Sequence, residues 1–370
     1  MNWKLTHVLK AAVIAAIICL GITSIGNPVQ AEDVYIPDSN LKHILLEQSK
    51  LTPSDLAKIE KLDNKGKEVK DFSGLEYLTN LKELKIEGVR MTDLSFLAKV
   101  PTLTRLDLQD NKISNITPIA NLSQLQYLNL QENQITDLSP LKGLTNLTEL
   151  DLEFNQISDI SQLSGLVKLR ELDIQDNRVS DISPLSNLIN LESLNLRNNE
   201  VTNTSALVTI DRAKNTGTGY FINLEENRLN LGSSAGADIK SILNNKRFIV
   251  RYEPQKVIQV KLNGNYLESD VPPTVIEGRT LVPLRAIFEA LDAQISWDDK
   301  TKKVTGQKGS TTVVLTINKK TAQVNGVNTI LDVPATIVDG RTMVPARFIA
   351  ESLGQRVSWD EKLRTVVISK

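Results

Sequence analysis

The stretch Leu103-Thr-Arg-Leu-Asp-Leu-Gln-Asp-Asn111 decides the fold of this chain. Nearly the same pattern starts again, at even spacing, at Leu125, Leu147, Leu169 and Leu191. A fixed period of about 20–29 residues with this spacing of Leu and Asn is typical of leucine-rich repeats. One unit cannot bury its own leucines, and ordering each residue costs about 1–2 kcal/mol. The repeats are therefore predicted to stack into one solenoid.

Each repeat is predicted to hold one strand, one turn and a short return segment. Leu128 and Leu130 alternate with more polar residues, which is the period-two pattern of a half-buried strand. Stacking should join these strands into a parallel sheet on the concave face. The turn after each strand carries an Asn whose amide can satisfy backbone groups that no neighbouring strand reaches. The members of this structural Asn ladder are Asn111, Asn133, Asn155, Asn177 and Asn199.

Residues 1–31 have the features of a secretory signal peptide. Lys4 and Lys10 give a positive start, a short apolar run follows, and Val29-Gln-Ala31 is a small-residue cleavage site. The apolar run is short for a bilayer span, although an uncleaved anchor is the alternative. Cleavage would remove Cys19, the only cysteine, and no membrane span is expected in the rest of the chain.

The segments on either side of the repeats are predicted to be caps, because the ends of a solenoid otherwise expose its core. Residues 32–58 carry apolar residues at helical spacing, which predicts a helical N-terminal cap. The repeats and a C-terminal cap are assigned to residues 59–253, with a Gly-rich polar surface loop at 211–219. Residues 254–256 are predicted to be a linker.

The repeats resemble the internalin-type leucine-rich repeat domain of Gram-positive secreted and surface proteins. The resemblance covers residues 32–253 and rests on the cap, the 22-residue unit and the Asp-Ile-Ser-Pro-Leu segment at 181–185. It implies a binding module that holds a protein ligand on the concave face. The chain departs from the family pattern because no immunoglobulin-like segment and no Leu-Pro-x-Thr-Gly sorting signal follow. Covalent wall attachment is therefore not expected.

The C-terminal segment, residues 257–370, is a tandem duplication. Gly278-Arg-Thr-Leu-Val-Pro283 returns as Gly340-Arg-Thr-Met-Val-Pro345, and Ser296-Trp-Asp298 returns, at the same offset, as Ser358-Trp-Asp360. Asn-Gly pairs predict tight hairpins, and the proline that ends each copy of the first motif is predicted to open a short helix. The predicted fold class is an α/β leucine-rich repeat solenoid followed by a small duplicated α+β domain.

This segment resembles the copper amine oxidase N-terminal-like domain, a small stalk module of bacterial secreted proteins. The resemblance rests mainly on the repeated Arg-Thr-x-Val-Pro-x-Arg motif. It does not imply an enzyme, because such oxidases need a histidine copper site and an Asn-Tyr-(Asp/Glu) cofactor tyrosine. After cleavage the chain keeps one histidine, His43, and its Asn265-Tyr266 is followed by Leu267. No cofactor and no metal site are therefore predicted.

Two pairs of side chains in the duplicated segment have both a structural and a binding interpretation. Arg285 and Arg347 are expected to pair with the Glu four residues further on, and the alternative is contact with a wall polymer. Trp297 and Trp359 follow strand-like residues and are expected to be core residues, and the alternative is stacking on sugars.

The composition excludes several function classes. With no cysteine and one histidine after cleavage, Cys–His and Ser–His nucleophilic sites lose nearly all their candidates. No Gly-rich phosphate loop and no zinc-ligand spacing appear. Loss of Lys4 and Lys10 would take the formal net charge from −1 to about −3, which argues against general nucleic-acid binding. The chain is therefore predicted not to be an enzyme.

The outward strand positions form the predicted ligand-binding surface, where acids outnumber bases and aromatic residues interrupt them. Neighbouring strands lie about 4.8 Å apart, so Asp151 and Glu153 should crowd against Asp173. Aromatic anchors in a polar field are what protein interfaces use. The residues assigned to this surface are Tyr127, Glu149, Asp151, Glu153, Phe154, Glu171, Asp173, Arg197 and Phe221.

These patterns predict a secreted, non-enzymatic binding protein that is extracellular or associated with a Gram-positive-type cell envelope. The concave surface is expected to bind a protein ligand with basic residues, and the C-terminal domain to space the solenoid or attach it to a cell-wall polymer. The alternative is a structural envelope component without a specific ligand. For the acidic strands, a solvated surface and a calcium ion held by Asp151 and Asp173 are the other interpretations.

Overall fold

The computed structural model describes residues 33–213, 220–244 and 248–370. The predicted signal peptide at 1–31 lies outside the described residues. Within the described ranges, no helix is long and apolar enough to cross a membrane.

In the described residues, nine short parallel strands form one sheet along the concave face of the solenoid. The register pairs equivalent positions, so Leu106, Leu128 and Leu150 of successive repeats lie directly beside one another and are buried. The strands, in spatial and chain order, are β1 (Lys61–Asp63), β2 (Glu83–Lys85), β3 (Arg105–Asp107), β4 (Tyr127–Asn129), β5 (Glu149–Asp151), β6 (Glu171–Asp173), β7 (Ser193–Asn195), β8 (Tyr220–Asn223) and β9 (Phe248–Arg251).

The convex side consists of short 3-10 helices, because each repeat leaves little chain for a longer helix and Pro118, Pro140 and Pro184 stand near the start of three of them. An Asp or Asn side chain precedes each return: Asp137 Oδ1, for example, accepts a hydrogen bond from Ser139 N at 2.8 Å. The 3-10 helices span Leu75–Tyr77, Ser95–Lys99, Thr117–Asn121, Ser139–Leu141, Ser161–Gly165 and Ser183–Asn187.

Helices cover both ends of the solenoid core. At the N-terminal end, Asp38 Oδ1 caps the first helix by accepting hydrogen bonds from Asn40 N and Leu41 N, both at 2.9 Å. Near the C-terminal end the third helix continues through Ala213, so the loop predicted at 211–219 is wrong for its first three residues; 214–219 lie outside the described residues. The helices are α1 (Ser39–Gln48), α2 (Pro53–Leu56), α3 (Ser205–Ala213) and α4 (Ser234–Asn244).

The C-terminal domain is built from three small sheets and two helices around its own core. The elements are β10 (Gln259–Leu262), β11 (Asn265–Tyr266), β12 (Thr274–Ile276), β13 (Arg279–Pro283), α5 (Leu284–Ala290), β14 (Gln294–Asp298), β15 (Lys303–Lys308), β16 (Thr311–Thr316), β17 (Thr321–Val324), β18 (Val327–Ile330), β19 (Thr336–Val338), β20 (Arg341–Pro345), α6 (Ala346–Ser352), β21 (Arg356–Asp360) and β22 (Thr365–Ser369). The sheet orders are β11-β10-β22-β21, β12-β13-β20-β19 and β14-β15-β16-β17-β18.

The duplication appears in the structure as a pseudo-twofold axis. β13 pairs antiparallel with β20, and Val282 lies opposite Val344, its counterpart in the second copy. The predicted hairpins are confirmed: Asn263-Gly264 and Asn325-Gly326 form the two-residue turns, with positive φ at all four residues. Pro283 and Pro345 do not occupy the first turn of α5 and α6 as predicted. Each ends its strand and is the N-cap of the helix, because it still pairs across the sheet, Pro283 with Met343 and Pro345 with Leu281.

The solenoid and the C-terminal domain meet through buried glutamines. Gln255 Oε1 accepts a hydrogen bond from Leu229 N at 3.0 Å, and its Nε2 donates to Leu224 O at 2.9 Å. Gln259 on β10 repeats this arrangement, accepting from Leu231 N at 3.1 Å and donating to Leu229 O at 2.9 Å. The segment 254–256, which the composition suggests is a linker, thus contains a buried, hydrogen-bonded side chain.

Candidate functional site

The Asn at each repeat turn anchors the edge of the concave surface. Asn155 is buried, its Oδ1 accepts from Ile135 N at 2.9 Å, and its Nδ2 donates to Leu130 O at 2.9 Å and to Leu152 O at 3.1 Å. These bonds join one repeat to the previous one. The same bonds to the preceding repeat are made by Asn111, Asn133, Asn177, Asn199 and Asn227.

A second ladder, which sequence reasoning missed, lies at the ends of the strands. Asp151 Oδ1 accepts a hydrogen bond from Glu153 N at 3.0 Å, and Asp173 Oδ1 accepts one from Gln175 N at 2.9 Å. These two candidate binding residues therefore also hold their own strand ends. The signal was available, because every regular copy of the position is Asp or Asn: Asp107, Asn129, Asp151, Asp173, Asn195 and Asn223.

The structure brings together three candidate carboxyl groups, at the end of β5 (Asp151), just after it (Glu153) and at the end of β6 (Asp173), and their electrostatics are unfavourable. Burial and the charge of Asp173 raise the pKa of Asp151 to about 6. Burial and the charges of Asp173 and Asp151 raise the pKa of Glu153 to about 7. Burial also raises the pKa of Asp173. The side-chain partners of Glu153 and Asp173 are neutral amides, since Gln175 Nε2 donates to Glu153 Oε1 at 2.8 Å and Asn195 Nδ2 donates to Asp173 Oδ2 at 2.9 Å.

The three candidate aromatic residues are not equivalent. The Arg105 guanidinium lies 3.9 Å from the ring centre of Tyr127, and that of Arg251 lies 5.5 Å from the ring centre of Phe221, so both rings are half-buried under cations. Phe154 is 46% exposed beside Glu153. Of the three, Phe154 has the geometry of a free anchor.

The remaining candidate residues spread outward from this centre. Tyr127, Glu149 and Glu171 form one column across β4, β5 and β6. Arg197 lies further along the sheet, where its Nη2 is 2.6 Å from Glu226 Oε1. This ion pair neutralises its charge within the chain. Within the described residues, no group of three or more His, Cys, Asp and Glu is arranged to hold a metal ion.

In the C-terminal domain the prediction for the tryptophans is wrong. Trp297 is 46% exposed and Trp359 is 41% exposed, because β14 and β21 are edge strands of their sheets. The expected pairing of the arginines is confirmed, with Arg285 Nε 3.8 Å from Glu289 and Arg347 Nε 3.9 Å from the equivalent Glu.

Family models match both parts of the chain. The model described as "Leucine Rich repeats (2 copies)" matches residues 101–143, 123–165 and 167–208. The model described as "Copper amine oxidase N-terminal domain" matches residues 261–368.

Two solved internalins from Listeria monocytogenes have a similar fold. The internalin inlF is 31% identical, with 62% of this chain and 67% of that chain covered and a TM-score of 0.53. Internalin C2 is 30% identical, with 60% of this chain and 100% of that chain covered and a TM-score of 0.52.

Among curated proteins, one from Brevibacillus choshinensis with the name "Protease inhibitor" is 28% identical over 115 residues, which is 31% of this chain. The match spans about a third of that protein's length, 35%. With repeats that match in sequence and a solenoid that matches in structure, the chain belongs to the internalin-like leucine-rich repeat proteins and carries a C-terminal domain of the copper amine oxidase N-terminal type.

Proposed function

We propose that this chain is an exported, non-enzymatic binding protein whose concave face holds a protein ligand with basic residues. The observation that carries the proposal is the group Asp151, Glu153 and Asp173, three crowded carboxyl groups with neutral partners, beside the exposed Phe154. A ligand Lys or Arg would relieve the repulsion among the carboxylates. Phe154 would supply the apolar anchor that interfaces concentrate near their centre.

Export is supported by the signal-like pattern at 1–31, and the leucine-rich repeat fold suggests protein binding. The C-terminal domain is proposed to space the solenoid from the cell envelope or attach it there through a wall polymer. A structural envelope component without a concave-face ligand is the competing function, and a capture experiment separates the two.

The test uses the chain from residue 32 onward as bait in envelope and culture-medium fractions. The test variant neutralises the face with Asp151→Asn, Glu153→Gln and Asp173→Asn. Asn129 and Asn195 already occupy the equivalent strand positions, so the two Asp→Asn changes fit the turn hydrogen bonds. We expect capture of a basic ligand to fall by about tenfold or more, because the loss of a single close charge pair at an interface costs about 1.5 kcal/mol or more.

The matched control changes the same number of charges on the convex side, with Asp137→Asn, Asp159→Asn and Asp181→Asn. Asn115 already fills this position in another repeat, where its Oδ1 accepts from Thr117 N at 2.9 Å. If the two triple variants capture every partner equally, the concave face has no specific ligand and the structural role replaces the proposal.

A further inference from the structure

The pseudo-twofold axis of the C-terminal domain produces two clefts, each built by both halves of the duplication. In the first, named here the Trp359 cleft, the Gly278–Thr280 segment of the first half faces Asp332 and the 345–351 segment of the second half. The cleft has a volume of about 460 Å³. That volume lies within the range of small-ligand sites, about 300–1,000 Å³.

The second, named the Asp270 cleft, is the same arrangement with the halves exchanged. Its lining includes Gly340–Thr342 of the second half, together with Asp270 and residues of the 283–289 segment of the first. Each of these positions is the duplicated counterpart of a position in the Trp359 cleft. The Asp270 cleft is mostly polar and borders the solenoid junction, where Ser269 N donates to Gly232 O at 3.1 Å.

Ion pairs hold the polar groups of the Trp359 cleft in place. Arg279 Nε lies 2.6 Å from Asp332 Oδ2, an ion pair that joins the two halves. Arg347 Nε lies 3.9 Å from Glu351 Oε1. The cleft thus presents two guanidinium groups and two carboxylates whose charges cancel. This disfavours strongly anionic or cationic ligands and leaves planar donors and acceptors for a neutral, hydroxyl-rich ligand.

An aromatic and aliphatic wall distinguishes the Trp359 cleft from its counterpart. Trp359 lines it and is 41% exposed, and its Nε1 donates to Glu361 Oε2, which fixes the indole ring. Ile258, Val357 and Val366 extend the apolar surface. An oriented indole beside fixed polar groups offers an apolar face and hydrogen bonds to the same ligand.

We propose that the Trp359 cleft binds a neutral saccharide chain, with one sugar ring against the indole of Trp359 and its hydroxyls on the Arg279–Asp332 and Arg347–Glu351 pairs. Saccharides combine apolar C–H faces with hydroxyl donors and acceptors, which is the mixture that the cleft presents. This inference rests on the attachment role proposed for the C-terminal domain and names the site and the ligand class.

The chain from residue 32 onward is titrated by calorimetry with three probes: cellohexaose, chitohexaose and hexagalacturonate. We expect saturable binding of one or both neutral probes, and their comparison shows whether the N-acetyl group contributes. Trp359→Ala should weaken that binding by about tenfold or more. Trp297→Ala is the matched control, since Trp297 is the pseudo-symmetric counterpart and leaves the cleft intact; it should bind like the unmodified chain.

Equal binding by Trp359→Ala and the unmodified chain would overturn the proposal, as would binding of hexagalacturonate alone or of no probe. Retention at the envelope is measured on the same variants, and it distinguishes failure of the saccharide site from failure of the attachment role. If Trp359→Ala is released from the envelope while its solenoid still captures its partner, the cleft is the attachment site. If no probe binds and the chain is nevertheless retained, the attachment role survives and the saccharide assignment fails.

Discussion

At the residue scale, Phe154 is a bulky apolar residue at a turn position where the neighbouring repeats have Glu132 and Asp176. The residue before each ladder Asn adopts a left-handed backbone conformation, with φ of 51° at Phe154. The equivalent residues with positive φ are Asp110, Glu132, Asp176, Asn198 and Glu226. A bulky residue in this conformation costs about 1–2 kcal/mol, and such strain concentrates at functional positions. This strain supports the anchor role proposed for Phe154.

Phe154→Asn should separate stability from binding. Asn tolerates the left-handed conformation, so we expect the free energy of unfolding in urea to stay level or rise by up to about 1 kcal/mol. Capture of the concave-face ligand should fall sharply because the anchor is lost. Glu132→Asn, at the same turn one repeat earlier, is the control that should keep the ligand. Equal capture by the two variants would contradict the anchor role.

The crowded carboxyl groups predict a pH dependence of stability. Folding raises the pKa of Glu153 to about 7, above its ordinary value of 4.5, so between these values the folded chain holds more protons than the unfolded chain. Stability contributed at this site is therefore present at low pH and lost as pH rises toward 7. Glu153→Gln should be more stable than the unmodified chain at pH 8 by about 1 kcal/mol, after allowance for solvent screening, and should match it near pH 4.

Urea midpoints at the two pH values measure this effect. Asp159→Asn supplies a control of opposite sign, because hydrogen bonds from Ser161 lower the pKa of Asp159 and its contribution is present at higher pH. If the urea midpoint of Glu153→Gln equals that of the unmodified chain at both pH values, solvent screens the Glu153 carboxylate and the predicted destabilisation at pH 8 is absent.

At the element scale, the stack of repeats depends on buried amides that replace missing backbone partners. Asn155→Leu removes donors and an acceptor from buried backbone groups of two repeats, and should cost about 1–3 kcal/mol of unfolding free energy. Asn146→Ser is the control, since this half-buried amide makes only exposed hydrogen bonds: it donates to Ser123 O at 2.9 Å and accepts from Lys168 Nζ at 2.8 Å. Similar urea midpoints for the two variants would show that the side-chain amide of Asn155 does not contribute to the stability of the stack.

Elements governed by a local, repeated pattern could be predicted, while those governed by distant contacts could not. The strands and turns follow from the spacing of Leu and Asn within one unit, because each unit meets the same neighbours. Gln255 has the place of a ladder Asn, but it follows Asn227 by more than one repeat length and carries an extra methylene, so neither period nor residue type reveals it. The exposure of Trp297 and Trp359 depends on which sheet edges remain uncovered, and a strand-like pattern does not contain that information.

The candidate site could likewise be predicted only where it depends on the repeat pattern. The column of acidic residues follows from the register of stacked repeats, which the sequence determines. Arg105 covers Tyr127 and Arg251 covers Phe221 because of side-chain rotamers on neighbouring strands. The sequence pattern does not contain these rotamers, so it could not distinguish Phe154 from the other two aromatic residues.

At the scale of the whole molecule, the C-terminal domain closes the solenoid. Gln255 and Gln259 continue the hydrogen bonding of the repeats into β10, and Tyr266 of β11 packs against the solenoid core. Asn230 Nδ2 donates to Ser269 O at 2.8 Å across the same contact. The two parts should therefore unfold as one cooperative unit, although each has its own hydrophobic core.

Gly232→Ala tests this coupling, because Gly232 lies where the two parts touch. A Cβ built there would be 1.8 Å from the backbone oxygen of Leu267, so the junction must open to accept one methyl group.

Trp297 and Trp359 report on the C-terminal domain by fluorescence, and far-ultraviolet circular dichroism reports on the whole chain. In the unmodified chain from residue 32 onward, the two signals should change together on heating. In Gly232→Ala they should separate, with the solenoid losing about 1–3 kcal/mol through the strained end. Gly165→Ala, where no atom lies within 4 Å of the added Cβ, is the matched control and should keep the signals coincident. Separate transitions already in the unmodified chain, or identical behaviour of the two glycine variants, would show that the C-terminal domain and the solenoid unfold independently.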